Sequence, residues 1–138
     1  MAINVFFKLS FLILLFSCQL SAQWSKTVHQ SVGLPDTLTR FYIQSNFPID
    51  TLFWIGSDIL IETTVSMSGV KESIFEYLMQ SDRYKWIFAL DDWRFLKPLQ
   101  SPLPKFDGMT ELVKLKIYIP EYFRPSANNF FILAGLKE

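Results

Sequence analysis

The stretch ILIETTVSM, residues 59–67, decides the fold because its side chains alternate in the way that a β-strand requires. One side of it is apolar and consists of Ile59, Ile61, Val65 and Met67. The opposite side is mixed and consists of Leu60, Glu62, Thr64 and Ser66. We therefore predict a strand with one buried face and one solvated face, with Thr63 as a mild interruption of the buried face.

Ser68-Gly69 ends this strand, and a helical run of two to three turns follows it. The i, i+3, i+4 spacing predicts that its packing face consists of Ile74, Tyr77 and Leu78. Two residues are candidates for the N-cap: Ser68, or Ser73 with Glu76 three positions later as a capping box. Such a short helix needs a sheet to pack on.

Alternation on both sides of this centre predicts two β-hairpins. Alternation resumes from Tyr84 to Leu90, with Tyr84, Trp86, Phe88 and Leu90 in phase as on a core face, and Asp91-Asp92 then turns the chain into Trp93–Leu96. On the N-terminal side, Thr51–Ile55 is separated from the strand at Ile59 by Gly56, Ser57 and Asp58. Two β-type runs joined by three residues that include glycine are typical of a hairpin.

The C-terminal half contains one more clear strand. Three prolines between residues 98 and 104 exclude a helix interior or a central strand there, so we predict a surface loop that ends at Asp107-Gly108. From Glu111 to Ile119 the apolar side consists of Val113, Leu115, Ile117 and Ile119. Pro120 ends this strand, Pro125 keeps the next segment irregular, and residues 129–134 are expected to add a closing strand.

Together these patterns predict an α+β, mainly β domain. We expect a twisted, largely antiparallel sheet of five to seven strands with one short helix packed on it. The domain is residues 23–138. Residues 23–45 are its least defined part: Trp24–Val28 is either a strand or a poorly ordered lead-in, and Thr39–Ile43 is a short strand candidate.

Residues 1–22 have the layout of a secretory signal peptide. Lys8 precedes an apolar block, and the small, polar Ser21-Ala22-Gln23 follows it, so we predict cleavage after Ala22. The block is shorter than the roughly 20 residues needed to cross a bilayer. The alternative is a degenerate lipobox at Leu15-Phe16-Ser17-Cys18, which would place a lipid anchor on Cys18. Phe16 departs from the lipobox pattern, and membrane attachment is expected only if Cys18 is lipidated.

Composition excludes several kinds of function. Cys18 is the single cysteine, so a chain cleaved after Ala22 has no disulfide, thiol nucleophile or thiolate metal site. Removing Lys8 from the 13 basic residues leaves 12 against 13 acidic ones. With neither a basic stripe nor a polybasic run, we do not expect a nucleic-acid partner.

The polar residues form no recognisable catalytic, cofactor or metal site. His29 is the only histidine and lies in the least defined segment, so we do not expect it to be catalytic. Asp91-Asp92 is read as a solvated turn, because adjacent residues of a strand point to opposite faces. Glu62 and Glu111 are both read as solvated acids on polar faces. No phosphate loop or dinucleotide fingerprint is present. We therefore predict no enzyme, no cofactor and no metal.

Aromatic residues leave one alternative open. Most are expected to be core, but Trp93, Trp54 and Tyr118 are candidates for a surface that stacks on sugars or other ligands. Of these candidates, Trp93, beside the charged turn, is the ring that we expect to be exposed.

The segment from Leu52 to Pro120 resembles small exported proteins of Bacteroidetes-type bacteria close to the adhesin and auto-transporter head (GIN-like) domains. Three pieces carry the resemblance: residues 59–63 (ILIET), the passage from Tyr77-Leu78 to Arg83-Tyr84, and residues 113–120 (VKLKIYIP). It implies an exported, non-enzymatic envelope or surface module, structural or adhesin-like, and it supplies no catalytic residues. The expected partners are other envelope proteins or glycans, in the periplasm, at the cell surface or outside the cell. The alternative is a small glycan- or ligand-binding module that uses exposed aromatic rings.

Overall fold

Nine β-strands and one α-helix make up the computed structural model, which describes residues 22–136. The strands are β1 Gln23–Val32, β2 Arg40–Ile43, β3 Ile49–Trp54, β4 Ile59–Ser68, β5 Trp86–Phe88, β6 Phe95–Pro98, β7 Thr110–Pro120, β8 Phe123–Ala127 and β9 Phe130–Leu133. Helix α1 spans Glu72–Gln80, and a single 3-10 turn follows it at Asp82–Tyr84. The mainly β, α+β class predicted from the sequence is confirmed.

The strands form two mixed sheets. The first has four strands in the order β1-β4-β7-β3, and the second has five in the order β5-β6-β2-β9-β8. Two strand pairs are parallel, β3 with β7 and β2 with β6, and the other pairs are antiparallel. The prediction of one sheet of five to seven strands was therefore wrong in this detail. Because each strand has only one apolar side, a second sheet is needed to cover that side.

The core lies between the two sheets, with α1 contributing to it. Its centre is the long β4–β7 pair, in which Ile61 lies opposite Ile117 and Val65 opposite Val113, all buried. Phe41 of the second sheet stacks on Phe131 at a ring separation of 5.3 Å. Fully burying one such side chain stabilises the fold by about 1.5–3 kcal/mol. The two strands with the clearest alternation in the sequence thus supply much of the core.

The predicted hairpin between Thr51–Ile55 and the strand at Ile59 was wrong. β3 and β4 belong to the same sheet, but β7 lies between them and β3 pairs with β7 in parallel. The indole of Trp54 shapes the connecting segment: its ring covers Gly56, and its Nε1 donates to the carbonyl of Asp58 at 2.9 Å. β7 therefore lies between β3 and β4, a position that a hairpin of β3 and β4 would not leave open.

Helix α1 exists as predicted, but its face and its cap differ from the prediction. The buried residues are Phe75, Leu78 and Met79, whereas Ile74 and Tyr77 are exposed. Lys71 occupies the N-cap without a side-chain hydrogen bond, so neither Ser68 nor Ser73 caps the helix. Contact with the sheet selects a face rotated from the predicted one, since Phe75 and Met79 also lie at i, i+4 spacing.

Two further segments differ from their predictions. β5 is only three residues long, and Leu90 is exposed instead of lying on the core face with Trp86. Pro125 lies within β8, where the pairing with β9 shifts register between Pro125 and Ala127. A shift of this kind tolerates the missing N–H of proline at a sheet edge.

The N-terminal part of the described chain is a regular strand. Of the two alternatives for Trp24–Val28, the structure has the strand: β1 pairs with β4 over its full length, from Gln23 to Val32. The predicted signal peptide, residues 1–22, and the lipidation site Cys18 lie outside the described residues, apart from Ala22. Within residues 22–136, no helix has the length and apolar character needed to span a membrane.

Candidate functional site

Polar and charged side chains cover much of the outer side of the four-stranded sheet, which we call the polar face. Alternation along β1, β4, β7 and β3 directs every second side chain away from the core. The polar face consists of Ser25, Thr27, His29, Asp50, Glu62, Thr64, Ser66, Leu112, Lys114, Lys116 and Tyr118.

Hydroxyl pairs cross the polar face between β1 and β4. Thr27 Oγ1 and Thr64 Oγ1 are 2.9 Å apart, and Ser25 Oγ and Ser66 Oγ are 3.2 Å apart. Cross-strand hydroxyl pairs of this kind each stabilise a sheet by a few tenths of a kcal/mol up to about 1 kcal/mol. They also present a regular set of donors and acceptors to whatever contacts the sheet.

A row of acidic and basic side chains lies beside these hydroxyls. The strand register aligns His29, Glu62, Lys116 and Asp50 across four strands. Glu62 is the best connected of them: His29 Nδ1 is 3.7 Å from its Oε1, and the Tyr118 hydroxyl donates to its Oε2 at 3.3 Å. The prediction that Glu62 lies on the polar side of β4 is confirmed.

A shallow depression of about 760 Å³ opens on the polar face. Its polar lining consists of Thr27, Asp50, Glu62, Thr64, Lys114 and Lys116. Both signs of charge and paired hydroxyls line the same concavity beside the apolar Pro48, Ile49, Leu112, Val113 and Leu115, so it suits a partner that offers polar groups of little net charge together with some apolar surface. The sequence predicted the polar side of each strand, but only the strand order brings Thr27, Glu62 and Lys116 together.

The three aromatic residues predicted as a ligand surface are divided between the two sheets. Trp54 and Tyr118 lie on neighbouring strands, β3 and β7, on the same side as the polar face, and both are half-buried. Trp93 is 58% exposed and lies in the connection between β5 and β6 of the other sheet. Trp93 thus has the exposure that was expected of it, while a role in ligand binding stays a prediction for all three.

A second group of aromatic rings was not predicted. On the outer side of the five-stranded sheet, Tyr42 stacks between Phe95, at 5.2 Å, and Phe130, at 4.3 Å. These rings come from β6, β2 and β9, whose order in the sheet is not readable from one sequence. In the sequence, the only indication that Tyr42 faces outwards was its alternation with the core residues Phe41 and Ile43.

One buried ionic cluster lies at the end of the core. Arg83 Nε is 3.1 Å from Glu111 Oε2, and Arg83 Nη2 donates to Glu111 Oε1 at 3.2 Å and to the carbonyl of Pro104 at 2.8 Å. The Tyr84 hydroxyl also donates to Glu111, and the Arg83 guanidinium lies 5.4 Å from the Phe106 ring centre. The prediction that Glu111 is a solvated acid was wrong, because Glu111 shares the odd-numbered, core-facing side of β7.

Hydrogen bonds within the cluster shift the pKa values of Tyr84 and Arg83. Burial raises the pKa of Tyr84, and its hydrogen bond to the Glu111 carboxylate raises it further. Burial alone would lower the pKa of Arg83, but its hydrogen bonds to Glu111 and Tyr84 raise it overall. These groups hold the proline-rich loop against the start of β7, and this accounts for all of their polar contacts.

The other acids considered from the sequence do not converge. Asp91-Asp92 does lie in the connection between β5 and β6, where Arg94 binds Asp92 through two nitrogens, at 2.9 and 2.8 Å. This hydrogen-bonded pair lowers the pKa of Asp92. Among residues 22–136, no three or more His, Cys, Asp or Glu side chains are grouped closely enough to hold a metal ion.

Comparison of the chain with protein-family models, with curated proteins and with solved structures found no match.

Proposed function

We propose that this protein is an exported, non-enzymatic surface or envelope module, structural or adhesin-like, that binds a polar partner through the polar face. The observation that carries the proposal is the depression of about 760 Å³, in which paired hydroxyls and both signs of charge share one open sheet face. The export signal predicted at residues 1–22 supports its placement outside the cytoplasm.

The chemistry of the polar face favours a glycan or a polar protein surface. Thr27 and Thr64 offer hydroxyl groups that both donate and accept, while Glu62 and Lys116 offer one strong acceptor and one strong donor. A rigid sheet holds these groups at fixed spacing, so binding a repeating polar chain costs little ordering of the protein. The buried ionisable groups Arg83, Tyr84 and Glu111 bind one another instead of facing this surface.

Sedimentation with isolated bacterial cell envelopes tests this function. Thr64→Arg places a long charged side chain in the depression, and we expect it to raise the Kd about tenfold, equivalent to about 1.4 kcal/mol. The matched variant Thr110→Arg changes an exposed residue at the beginning of β7, outside the depression, and is expected to bind like the wild type.

Treating the envelopes with protease or with periodate before mixing separates a protein partner from a glycan. Equal binding by wild type and Thr64→Arg would remove the polar face from consideration.

The alternative function, a glycan- or ligand-binding module based on aromatic rings, rests on the exposure of Trp93. A ring that is 58% exposed beside a charged turn is available to stack on a sugar. On a glycan array, Trp93→Ala would then abolish binding, whereas Leu90→Ala, an exposed apolar residue in the same connection, would not. Array binding that survives Trp93→Ala would reject this alternative.

A further inference from the structure

Four strands lie at the edges of the two sheets: β1, β3, β5 and β8. An edge strand presents unpaired N–H and C=O groups and can therefore add a strand from another chain. Proteins block such addition with prolines, lysines, bulges, very short strands or a covering segment. The four edges of this protein differ in whether they carry such a block.

The edge strand β1 contains a lysine, Lys26, and its side chains bond to other parts of the same molecule. The Trp24 indole donates to the carbonyl of Val70 at 3.0 Å, and Lys26 binds Glu76 of α1 at 3.1 Å. The Gln30 side chain bonds both the N–H and the C=O of Trp86 in β5, at 2.8 and 2.7 Å. These contacts anchor β1 to α1 and to the other sheet.

β5 and β8 are blocked in other ways. β5 has only three residues, from Trp86 to Phe88. β8 contains Pro125 and shifts register between Pro125 and Ala127. Neither strand offers a continuous row of backbone groups to a partner.

β3 has none of these blocks. Its sequence IDTLFW contains neither proline nor lysine, and its pairing with β7 is continuous from Ile49 to Trp54. It exposes apolar side chains, with Leu52 37% and Phe53 44% exposed, and Ile55, directly after it, 86% exposed. Within residues 22–136, no strand pairs with its second edge.

The direction of the β3 backbone shows which groups face outwards. The carbonyl of Trp54 accepts from the N–H of Glu121 at 2.8 Å, so the backbone groups of Trp54 point to the β7 side. Because these directions alternate along a strand, the backbone N–H and C=O of Leu52 also point to β7. The backbone groups of Thr51 and Phe53 point to the open edge.

We propose that β3 pairs with β3 of a second copy of this chain in an antiparallel arrangement centred on Leu52. In this register Thr51 of each copy lies opposite Phe53 of the other, and these are the residues whose backbone groups point outwards. Each such pair exchanges two N–H···O=C bonds. Leu52 lies opposite its own counterpart, which buries an exposed apolar side chain.

Charge agrees with this register. Asp50 of one copy lies opposite Trp54 of the other, so the two Asp50 residues are four positions, or about 13 Å, apart. A register centred on Asp50 would bring the two carboxylates together and is disfavoured. With the other edges blocked, this two-fold pairing closes at a dimer. It also joins the two polar faces in one continuous eight-stranded sheet, twice the four strands of each copy.

Sedimentation velocity over about a hundredfold range of concentration tests the dimer, using protein purified from expression of the full gene. Leu52→Lys places two lysines opposite each other at the centre, and we expect the dimer Kd to rise about a hundredfold. Leu112→Lys is the matched control, because Leu112 is also exposed but lies on β7, outside the segment that pairs with β3. A wild type that stays monomeric, or an equal effect of the two variants, would overturn the proposal.

A cysteine cross-link tests the register itself, in a Cys18→Ala background that removes the single native cysteine. Leu52→Cys residues facing each other at a non-hydrogen-bonded position would be about 4.5 Å apart at Cα, within the reach of a disulfide. We expect a covalent dimer on mild oxidation. Asp50→Cys, with its counterpart about 13 Å away, is expected to give none. A covalent dimer with Asp50→Cys and none with Leu52→Cys would refute this register.

Discussion

Two arginine–carboxylate pairs of similar geometry have very different surroundings in this protein. Arg83 binds Glu111 with both side chains almost fully buried, whereas Arg94 binds Asp92 at the surface. Solvent screens the surface pair, and its contribution to stability is small. The buried pair excludes water and also holds the carbonyl of Pro104, so the loss of one partner leaves the other without compensation.

Arg83→Met is therefore expected to lower the free energy of unfolding by about 3 kcal/mol, because Glu111 would stay buried without its cation. Arg94→Met is the matched variant and should leave stability nearly unchanged. Urea denaturation of both proteins beside the wild type measures the difference. Equal midpoints for the two variants would show that the buried cluster contributes no more than the surface pair.

The cluster also predicts a dependence of stability on high pH. Since the folded pKa of Tyr84 is raised above its ordinary value of 10.0, Tyr84 stays protonated in the fold while an unfolded chain ionises. The contribution of Tyr84 to the free energy of unfolding is thus complete below about pH 10. It is lost as the pH rises above that, by up to about 1.4 kcal/mol per pH unit.

Denaturation between pH 9 and pH 11 checks this sign. Over that interval Tyr84→Phe should lose less stability than the wild type, because it lacks the one tyrosine that ionises in the unfolded chain but not in the fold. Tyr77→Phe removes an exposed tyrosine of α1 and should follow the wild type. If the curve of Tyr84→Phe ran parallel to that of the wild type, the titration of Tyr84 would not be linked to folding.

Residue positions were readable from the sequence where the environment is local. Alternation places Ile117 in the core and Glu62 on the solvated side, and both are found there. It also places Glu111 on the core side of β7. A carboxylate is nevertheless expected to be exposed to solvent unless a partner for it inside the protein is known. That partner, Arg83, lies 28 positions away and is brought close only by the packing of the 3-10 turn on β7.

At the scale of elements, β7 is the strand on which the sheet depends. It is the longest strand, it pairs with β4 on one side and β3 on the other, and its core side contains Val113, Leu115 and Ile117. Its opposite side contains Lys114 and Lys116. The two sides of one strand thus provide a direct comparison of buried and solvated positions.

Ile117→Asp is expected to unfold the domain, because an unpaired carboxylate in the core costs more than a total stability of about 5–15 kcal/mol can absorb. Lys114→Asp should change stability by less than about 1 kcal/mol, since residue 114 is exposed and lies opposite Thr64. Thermal melting monitored by circular dichroism measures both. Similar shifts for the two variants would mean that the phase of β7 has been misassigned.

Elements could be predicted individually, but their pairing could not. The sequence predicted β4 and β7 closely because strong alternation and flanking Gly or Pro mark them, and it predicted β9 because a short apolar run precedes Gly135. The short connection at Gly56–Asp58 suggested a hairpin, but β7 enters between β3 and β4. Local turn chemistry does not reveal a strand that arrives from more than fifty positions later.

The whole molecule consists of two sheets that bury one face each and leave the other face open. The polar face follows from the order β1-β4-β7-β3, so the candidate site was predictable strand by strand but not as a surface. Charge patterning showed only that no nucleic-acid surface was to be expected. The function of the open face is a property of the assembled sheet.

Export is a prediction that concerns the whole molecule, and it depends on residues 1–22. We expect cleavage after Ala22, so that wild type and Cys18→Ala distribute identically between the soluble and membrane fractions of a bacterial host. Immunoblotting of the fractions and mass spectrometry of the mature N-terminus provide the readout. Membrane association that disappears in Cys18→Ala would instead indicate a lipid anchor on Cys18.

Lysine acylation with and without bound cell-envelope fragments tests the central claim, binding through the polar face, most directly. Lys114 lies exposed in the depression, and Lys85 is also exposed but lies outside it, between the 3-10 turn and β5. Mass spectrometry of the labelled peptides reports both residues in the same sample. We expect envelope fragments to protect Lys114 from the reagent and to leave the labelling of Lys85 unchanged. Binding that leaves Lys114 fully labelled would contradict it.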